Sequence, residues 1–315
     1  MQRMTHALPL VILSGCFPLS AQAATVGGHV ETGYEYDSNL NVDELDTSSG
    51  QSDQAWVLGA GVEASGRPTD NVKLTGTYDF TSRNYRDNDE FDQDTHLVSA
   101  DLSYDIGSVT LGASHHFSRS MLASDPFLDY NRSSLYLGKL VGDDVYLRAS
   151  VLKARKSFEE NEARDADTRG LSLDSFLFFN DTRTVFILGF DGNDQDAVSD
   201  AYDYQMLAVK TRLKHRFVVS GHENTVKIGW RFEARDYDEP VSSVEQPLLS
   251  PLPGSDTVGS EPRSDRIATA DISYGVGLTD WLTTEASLEY RDYRSTLDSA
   301  DYDKTVAAVT ARAEF

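Results

Sequence analysis

The sequence contains one cysteine, Cys16, in 315 residues. That lone thiol sits in the first segment, so no disulfide framework and no paired-thiol chemistry is available downstream. Positive charge is also short: 28 Lys and Arg stand against 51 Asp and Glu, for a formal net charge of −23. A chain this acidic repels phosphates, which excludes nucleic acid as a partner. Past residue 23 no stretch approaches the roughly 20 consecutive apolar residues of a membrane helix, and mean hydropathy is −0.42. That lack excludes helical spans. It does not exclude a transmembrane barrel, whose lipid-facing and lumen-facing residues alternate and cancel in any running average.

The N-terminal residues 1–23 read as a leader. Arg3 supplies a charged n-region, an apolar stretch runs from Ala7 to Leu19, and Ala21-Gln22-Ala23 fits an A-x-A cleavage site. Leu13-Ser14-Gly15-Cys16 has lipobox spacing and offers a competing cut, but it leaves a very short apolar core and wastes the site at Ala23. Cleavage after Ala23 removes Arg3 and leaves a mature chain, residues 24–315, of formal charge −24 with no cysteine.

What the remainder does have is a period of two. Val98, Ala100, Leu102, Tyr104 and Ile106 alternate with Leu97, Ser99, Asp101, Ser103 and Asp105. Val226, Ile228, Trp230, Phe232 and Ala234 alternate with Lys227, Gly229, Arg231, Glu233 and Arg235 in the same way. Strict alternation predicts strands, here at 28–36, 53–65, 71–83, 94–106, 108–118, 130–140, 144–157, 167–179, 183–192, 201–217, 224–236, 264–278, 282–293 and 303–315. Their length exceeds the five or six residues usual in soluble sandwiches. Connections alternate short (near Arg67–Asn71, Ile106–Ser108, Val141–Asp144, Asn180–Arg183, Ser220–Asn224, Thr279–Trp281) and long (near Asp37–Ser52, Asn84–Gln93, Arg119–Asp129, Phe158–Ala166, Asn193–Asp200, Pro240–Arg263, Thr296–Ala300). The fold class is therefore all-β: a single antiparallel transmembrane β-barrel of about fourteen strands in a Gram-negative outer membrane. Tyr34, Tyr36, Trp56, Tyr78, Phe80 and Phe117 near one end, with Tyr104, Trp281 and Phe315 near the other, fit aromatic girdles. A terminal aromatic, Phe315, implies recognition by the barrel-assembly machinery. Outer-membrane lipid is the other expected partner.

The same parity assigns an inner face. One wall carries Glu31, Glu35, Glu63, Asp79, Asp101 and Asp105. A basic ladder, Lys210, Arg212, Lys214, Lys227, Arg231 and Arg235, stands elsewhere, interleaved with acids. These twelve are the pore-lining candidates. Facing walls of opposite sign would orient dipolar solutes, whereas pairing between neighbouring strands, as of Glu289 with Arg312, would only stiffen the barrel. The acidic excess is expected on loops, at Asp87–Glu90, Glu159–Glu162 and Asp191–Asp196. Such runs suit Ca²⁺ or Mg²⁺, but none has EF-hand register. The connection Pro240–Arg263 holds five of the nine prolines and is expected as a constriction, a lid or a disordered loop. His115 and His116, being adjacent on a strand, point to opposite faces, and no G-x-S-x-G, zinc spacing or nucleotide fingerprint is present. No catalytic residue, cofactor or metal site is expected.

Gly33-Tyr34-Glu35-Tyr36-Asp37-Ser38-Asn39-Leu40-Asn41, with the Ser52-to-Gly66 segment and the Tyr78-to-Tyr85 strand, resembles two groups of proteobacterial barrels. One is the β-barrel porins associated with exopolysaccharide loci. The other is the C-terminal barrel of the surface lipoprotein assembly modifiers, whose helical repeat domain has no counterpart before the first strand here. The first resemblance implies an outer-membrane channel or export conduit for a saccharide polymer, with a periplasmic export partner. The alternatives are a barrel translocating surface proteins and a closed structural or adhesive barrel.

Overall fold

The computed structural model describes residues 24–42, 45, 48–239 and 262–315. The expected leader with Cys16, and residues 240–261 of the proline-rich connection, lie outside the described residues. Fourteen strands follow one another: β1 Thr25–Asp37, β2 Asp53–Thr69, β3 Val72–Tyr85, β4 Gln93–Ile106, β5 Val109–Leu122, β6 Asp125–Val141, β7 Val145–Phe158, β8 Ala166–Phe179, β9 Thr184–Ala197, β10 Tyr204–Val219, β11 His222–Tyr237, β12 Ser264–Gly277, β13 Leu282–Ser295 and β14 Tyr302–Glu314. Each pairs antiparallel with its sequence neighbours, and β14 pairs with β1 to close a barrel.

Closure is completed by the terminal aromatic. Gly28 and Phe315 exchange backbone hydrogen bonds of 2.8 and 2.9 Å. A Cβ on Gly28 would stand 2.7 Å from the Phe315 ring, so the seam needs glycine there. Outside, the alternation leaves an apolar belt in which Trp56, Leu135, Leu171 and Leu207 are all more than 60% exposed. An apolar exterior around a polar interior is the inverse of a soluble sandwich and matches a lipid-facing wall. Tight turns join the strands at the end where β1 starts and β14 finishes, with Gly107 and Gly142 at φ +62° and +63°.

Two boundaries differ from the sequence expectation. No long connection spans Arg119–Asp129. Strands β5 and β6 run on to a two-residue turn, Ala123-Ser124, with both residues at positive φ, the geometry that matches strand twist. Likewise Asp191–Asp196 is not a loop but the outer half of β9. Composition misleads here because a strand leaving the membrane no longer needs apolar residues on its outer face.

The other outer connections repeat one device. Single 3-10 turns at Asp89–Phe91, Glu162–Arg164, Asp200–Tyr202 and Asp298–Ala300 are each followed by an aspartate. Each aspartate accepts a backbone N–H from the strand before it: Asp92 from Tyr85 at 2.6 Å, Asp165 from Phe158 at 2.6 Å, Asp203 from Ala197 at 2.5 Å and Asp301 from Ser295 at 3.3 Å. Asp53, at the start of β2, accepts the N–H groups of Asp87 and Asn88 and so ties two connections together.

Partial burial, reinforced by neighbouring carboxylates, raises Asp92 and Asp203 above the usual aspartate range. A raised folded-state value means that each ionised form is held at the fold's expense above that value. Below the unfolded value the cost is absent. Asp92→Asn with Asp203→Asn, which keeps an acceptor oxygen, should therefore raise the melting temperature at pH 7 and leave it unchanged at pH 3. Melting curves at the two pH values check this, and a lower melting temperature at pH 7 would contradict it.

Candidate functional site

The barrel interior is the candidate site, and it changes along its axis. At the tight-turn end the inward residues Glu63, Lys73, Lys214, Ser287 and Glu314 are exposed. At the outer end Asp37, Asp53, Tyr85, Tyr237, Asp265, Tyr293 and Tyr302 are buried. Inward side chains are thus exposed at the tight-turn end and buried at the outer end.

Two clusters account for that burial: one is built on the connection from β1 to β2, and the other joins Ile267, Tyr293, Ala300 and Tyr302. Leu40 is fully buried, and Val42 and Leu45 nearly so, in a cluster with Ala55, Tyr85, Phe91, Phe127, Leu128 and Phe158. That cluster takes side chains from β2 round to β7. On its other side the connection is latched to β14. Lys304 Nζ lies 2.8 Å from Asp37 Oδ2 and donates to Asn41 Oδ1 at 2.5 Å. Asn41 Nδ2 donates to the Tyr302 hydroxyl at 2.7 Å and Asn39 Nδ2 to the Asp303 carbonyl at 3.3 Å. Asn39 also accepts from Ser48 Oγ and the Gly50 N–H, which folds the connection back on itself. The segment Asp37-Ser38-Asn39-Leu40-Asn41, singled out in the sequence for its resemblance, thus anchors an inward-folded plug.

The proline-rich connection, expected as the constriction, lies mostly outside the described residues. Its last residue is firmly anchored. Arg263 pairs with buried Asp265 through Nε at 2.9 Å and NH2 at 2.8 Å, and Asp265 also accepts from Tyr293 and Ser295.

All twelve sequence-predicted candidates project to the inner face by strand register. The ladder is present but largely compensated. Lys210 lies 3.0 Å from Asp174 and 3.4 Å from Asp191, Arg231 lies 3.0 Å from Asp191 and 2.8 Å from Glu233, and Arg235 lies 2.6 Å from Glu233. Arg212 meets Asp271 at 3.4 Å and Lys227 meets Glu285 at 2.7 Å. Lys214 has no ion-pair partner among the described residues. On the acidic wall Glu35 holds Arg83 at 2.9 Å, Glu31 meets Arg312 at 3.7 Å, Asp79 meets His29 at 3.9 Å and Asp105 meets Arg67 at 3.9 Å. Asp101 accepts from Tyr136 at 3.0 Å, and Glu63 stays exposed and without an ion-pair partner among the described residues. Glu289 does not pair with Arg312: the register sets Glu289 opposite Val306, and Glu289 pairs with Arg291 instead.

Sequence reasoning overlooked a third wall. Arg132, Arg148 and Lys156 on β6 and β7 face inward by the same parity, and Arg148 stacks over the Tyr136 ring at 3.7 Å. A hydroxyl row lies beside them, with Ser114 bonded to Ser134 and Ser99 to His116. The period of two would have found these residues, whereas the Lys304 latch joins positions 267 residues apart and leaves no local signal. His115 and His116 do face opposite ways, His115 toward Ser133 on the outer face. Among the described residues no three His, Cys, Asp or Glu converge as a metal cluster.

No family model and no curated protein matches the chain. Solved structures do match. OmpT of Vibrio cholerae, an outer membrane protein, aligns in its trimer form with a TM-score of 0.54 at 10% identity, over 93% of this chain and 100% of that one. The same protein expressed in the outer membrane aligns with a TM-score of 0.51 at 10% identity, over 94% of this chain and 99% of that one. At such identity the likeness is one of fold. Together with the apolar belt it identifies the chain as an integral outer-membrane β-barrel.

Lys304→Met removes the cation from a buried pair and leaves Asp37 charged, at a cost of about 3–5 kcal/mol to the latched form. The expected result is faster proteolysis within residues 38–52 of the folded barrel, with heat-modifiable gel migration unchanged. Equal protection of wild type and variant would show that the latch does not hold the plug.

Proposed function

We propose that the chain is a non-enzymatic outer-membrane channel, closed at rest by the plug of Leu40, Val42 and Leu45, and that its cargo is a saccharide. The observation that carries the channel reading is the asymmetry of the interior. The inner face is polar and increasingly exposed toward the tight-turn end, while the outer end is shut by a tethered connection rather than by a side-chain core running the length of the barrel. Barrels of this strand number fall between filled eight-stranded types and open porins, so a movable plug is what separates the two behaviours. The saccharide reading rests on the sequence resemblance and is supported by the wall itself. Part-exposed hydroxyls of Ser99 and Ser134 and mostly compensated charges offer weak contacts to a polyhydroxylated solute. A conduit needs weak and repeated contacts, because tight binding would stop exit.

A closed structural barrel is the competing reading, favoured by the full burial of Leu40. Planar-bilayer recording separates the two. Wild-type protein should show rare, brief openings, and a variant lacking residues 40–50 should conduct steadily. A folded, heat-modifiable variant with no conductance would establish the closed barrel.

A further inference from the structure

Inward-facing cations in the outer half of the barrel have carboxylate partners: Arg83 with Glu35, Lys210 with Asp174, Arg231 and Arg235 with Glu233, Lys304 with Asp37. Arg132 and Lys156 are the exception. Arg132 stands opposite Ala154 and Lys156 opposite Tyr130, so the two cations are diagonal neighbours on adjoining strands β6 and β7. Diagonal pairs are still within reach of long side chains. Neither has an ion-pair partner within 4.0 Å among the described residues, and both are half-buried. Like charges side by side on a half-buried wall repel, and that arrangement favours an anion between them.

Their depth matters as much. Leu128 and Phe158, which face each other one step further out along the same two strands, belong to the apolar cluster of the plug. The cation pair therefore lies directly beneath the plug, on the path that its removal would open. Hydrogen-bonding groups surround it on β5 and β6: His116 opposite Arg132, and Ser118 opposite Tyr130. Arg offers a planar fork and Lys a compact ammonium, a combination suited to a carboxylate or phosphate oxyanion.

We infer that Arg132 and Lys156 form a docking site for an oxyanion substituent of the cargo, which makes the cargo an acidic saccharide bearing carboxylate or phosphate groups. This rests on the channel reading above. Its test includes a readout that does not need conduction. Calorimetric titration of the detergent-folded barrel lacking residues 40–50 uses glucuronate, glucose 1-phosphate, glucose and inorganic phosphate as separate probes. Glucuronate or glucose 1-phosphate should bind saturably and glucose at least about tenfold more weakly, the scale of one lost charged hydrogen bond. Arg132→Gln with Lys156→Gln should abolish that preference, while Arg155→Gln, on the outer face of the same strand, should retain it. In bilayers the double substitution should also move the reversal potential in a salt gradient toward cation preference. Binding of inorganic phosphate alone, equal binding of glucose, or an unchanged preference in a folded double variant would overturn the site. A barrel that binds glucuronate at this pair but never conducts would overturn the channel reading and leave the site standing.

Discussion

In hydrocarbon a backbone N–H or C=O without a partner costs several kcal/mol, and a sheet that spans a membrane must therefore have no edge. The pairing of β1 with β14, finished by the Gly28–Phe315 exchange, meets that demand. From closure the rest follows. A closed sheet has one face to lipid and one to the lumen, so each strand must alternate. The outer face takes Leu, Val and aromatic residues, and the polar residues are driven inward, where they must find one another or water. The interior is thus charged because the exterior cannot be.

That division leaves little room for an apolar core, and the plug uses what there is. Above the belt the inward side chains are free to be apolar, and Tyr85, Phe127 and Phe158 supply a surface for Leu40 and its neighbours. The two halves of the plug differ in kind. The apolar side is non-directional and survives small displacements. The Asp37–Lys304–Asn41 side is directional and is lost within about an ångström. A displacement of the connection therefore breaks the polar side first, which makes β14 rather than β2 to β7 the side that decides the position of the plug.

Strand number, inner-face parity and the facing of His115 and His116 were legible because each follows from a period of two, which is local. Asp191–Asp196 misled because a run of acids reads as a loop, yet beyond the lipid a strand may carry acids on both faces. The turn at Ala123-Ser124 misled because both residues sit at positive φ, where a two-residue hairpin usually carries Gly, Asn or Asp. The latch was invisible for a different reason. Asp37 and Lys304 become neighbours only when the first strand meets the last, and no window along the chain contains both. The ladder of Lys210 to Arg235 was legible as a set of charges but not as a set of pairs, since pairing depends on rotamers and cross-strand register.

The circumference accordingly has two characters. From β9 to β14 the inner wall is held by ion pairs, with Asp191 and Glu233 each gripping two cations. Such a wall resists rearrangement, because freeing any one charge strands its partner in a confined space. From β2 to β7 the outer mouth is held by apolar packing against the plug, and beneath it Arg132 and Lys156 have no carboxylate partner among the described residues. Withdrawal of the plug breaks the Asn41 contacts to Lys304 and Tyr302 on β14, leaves the pairs of Asp191 and Glu233 as they were, and exposes the other wall. The field met by an entering solute is then set by that local excess rather than by the net charge of −23. Compensated pairs contribute only short-range dipoles, whereas two unpaired cations at one level act together over a distance set by the Debye length, about 8 Å at physiological salt.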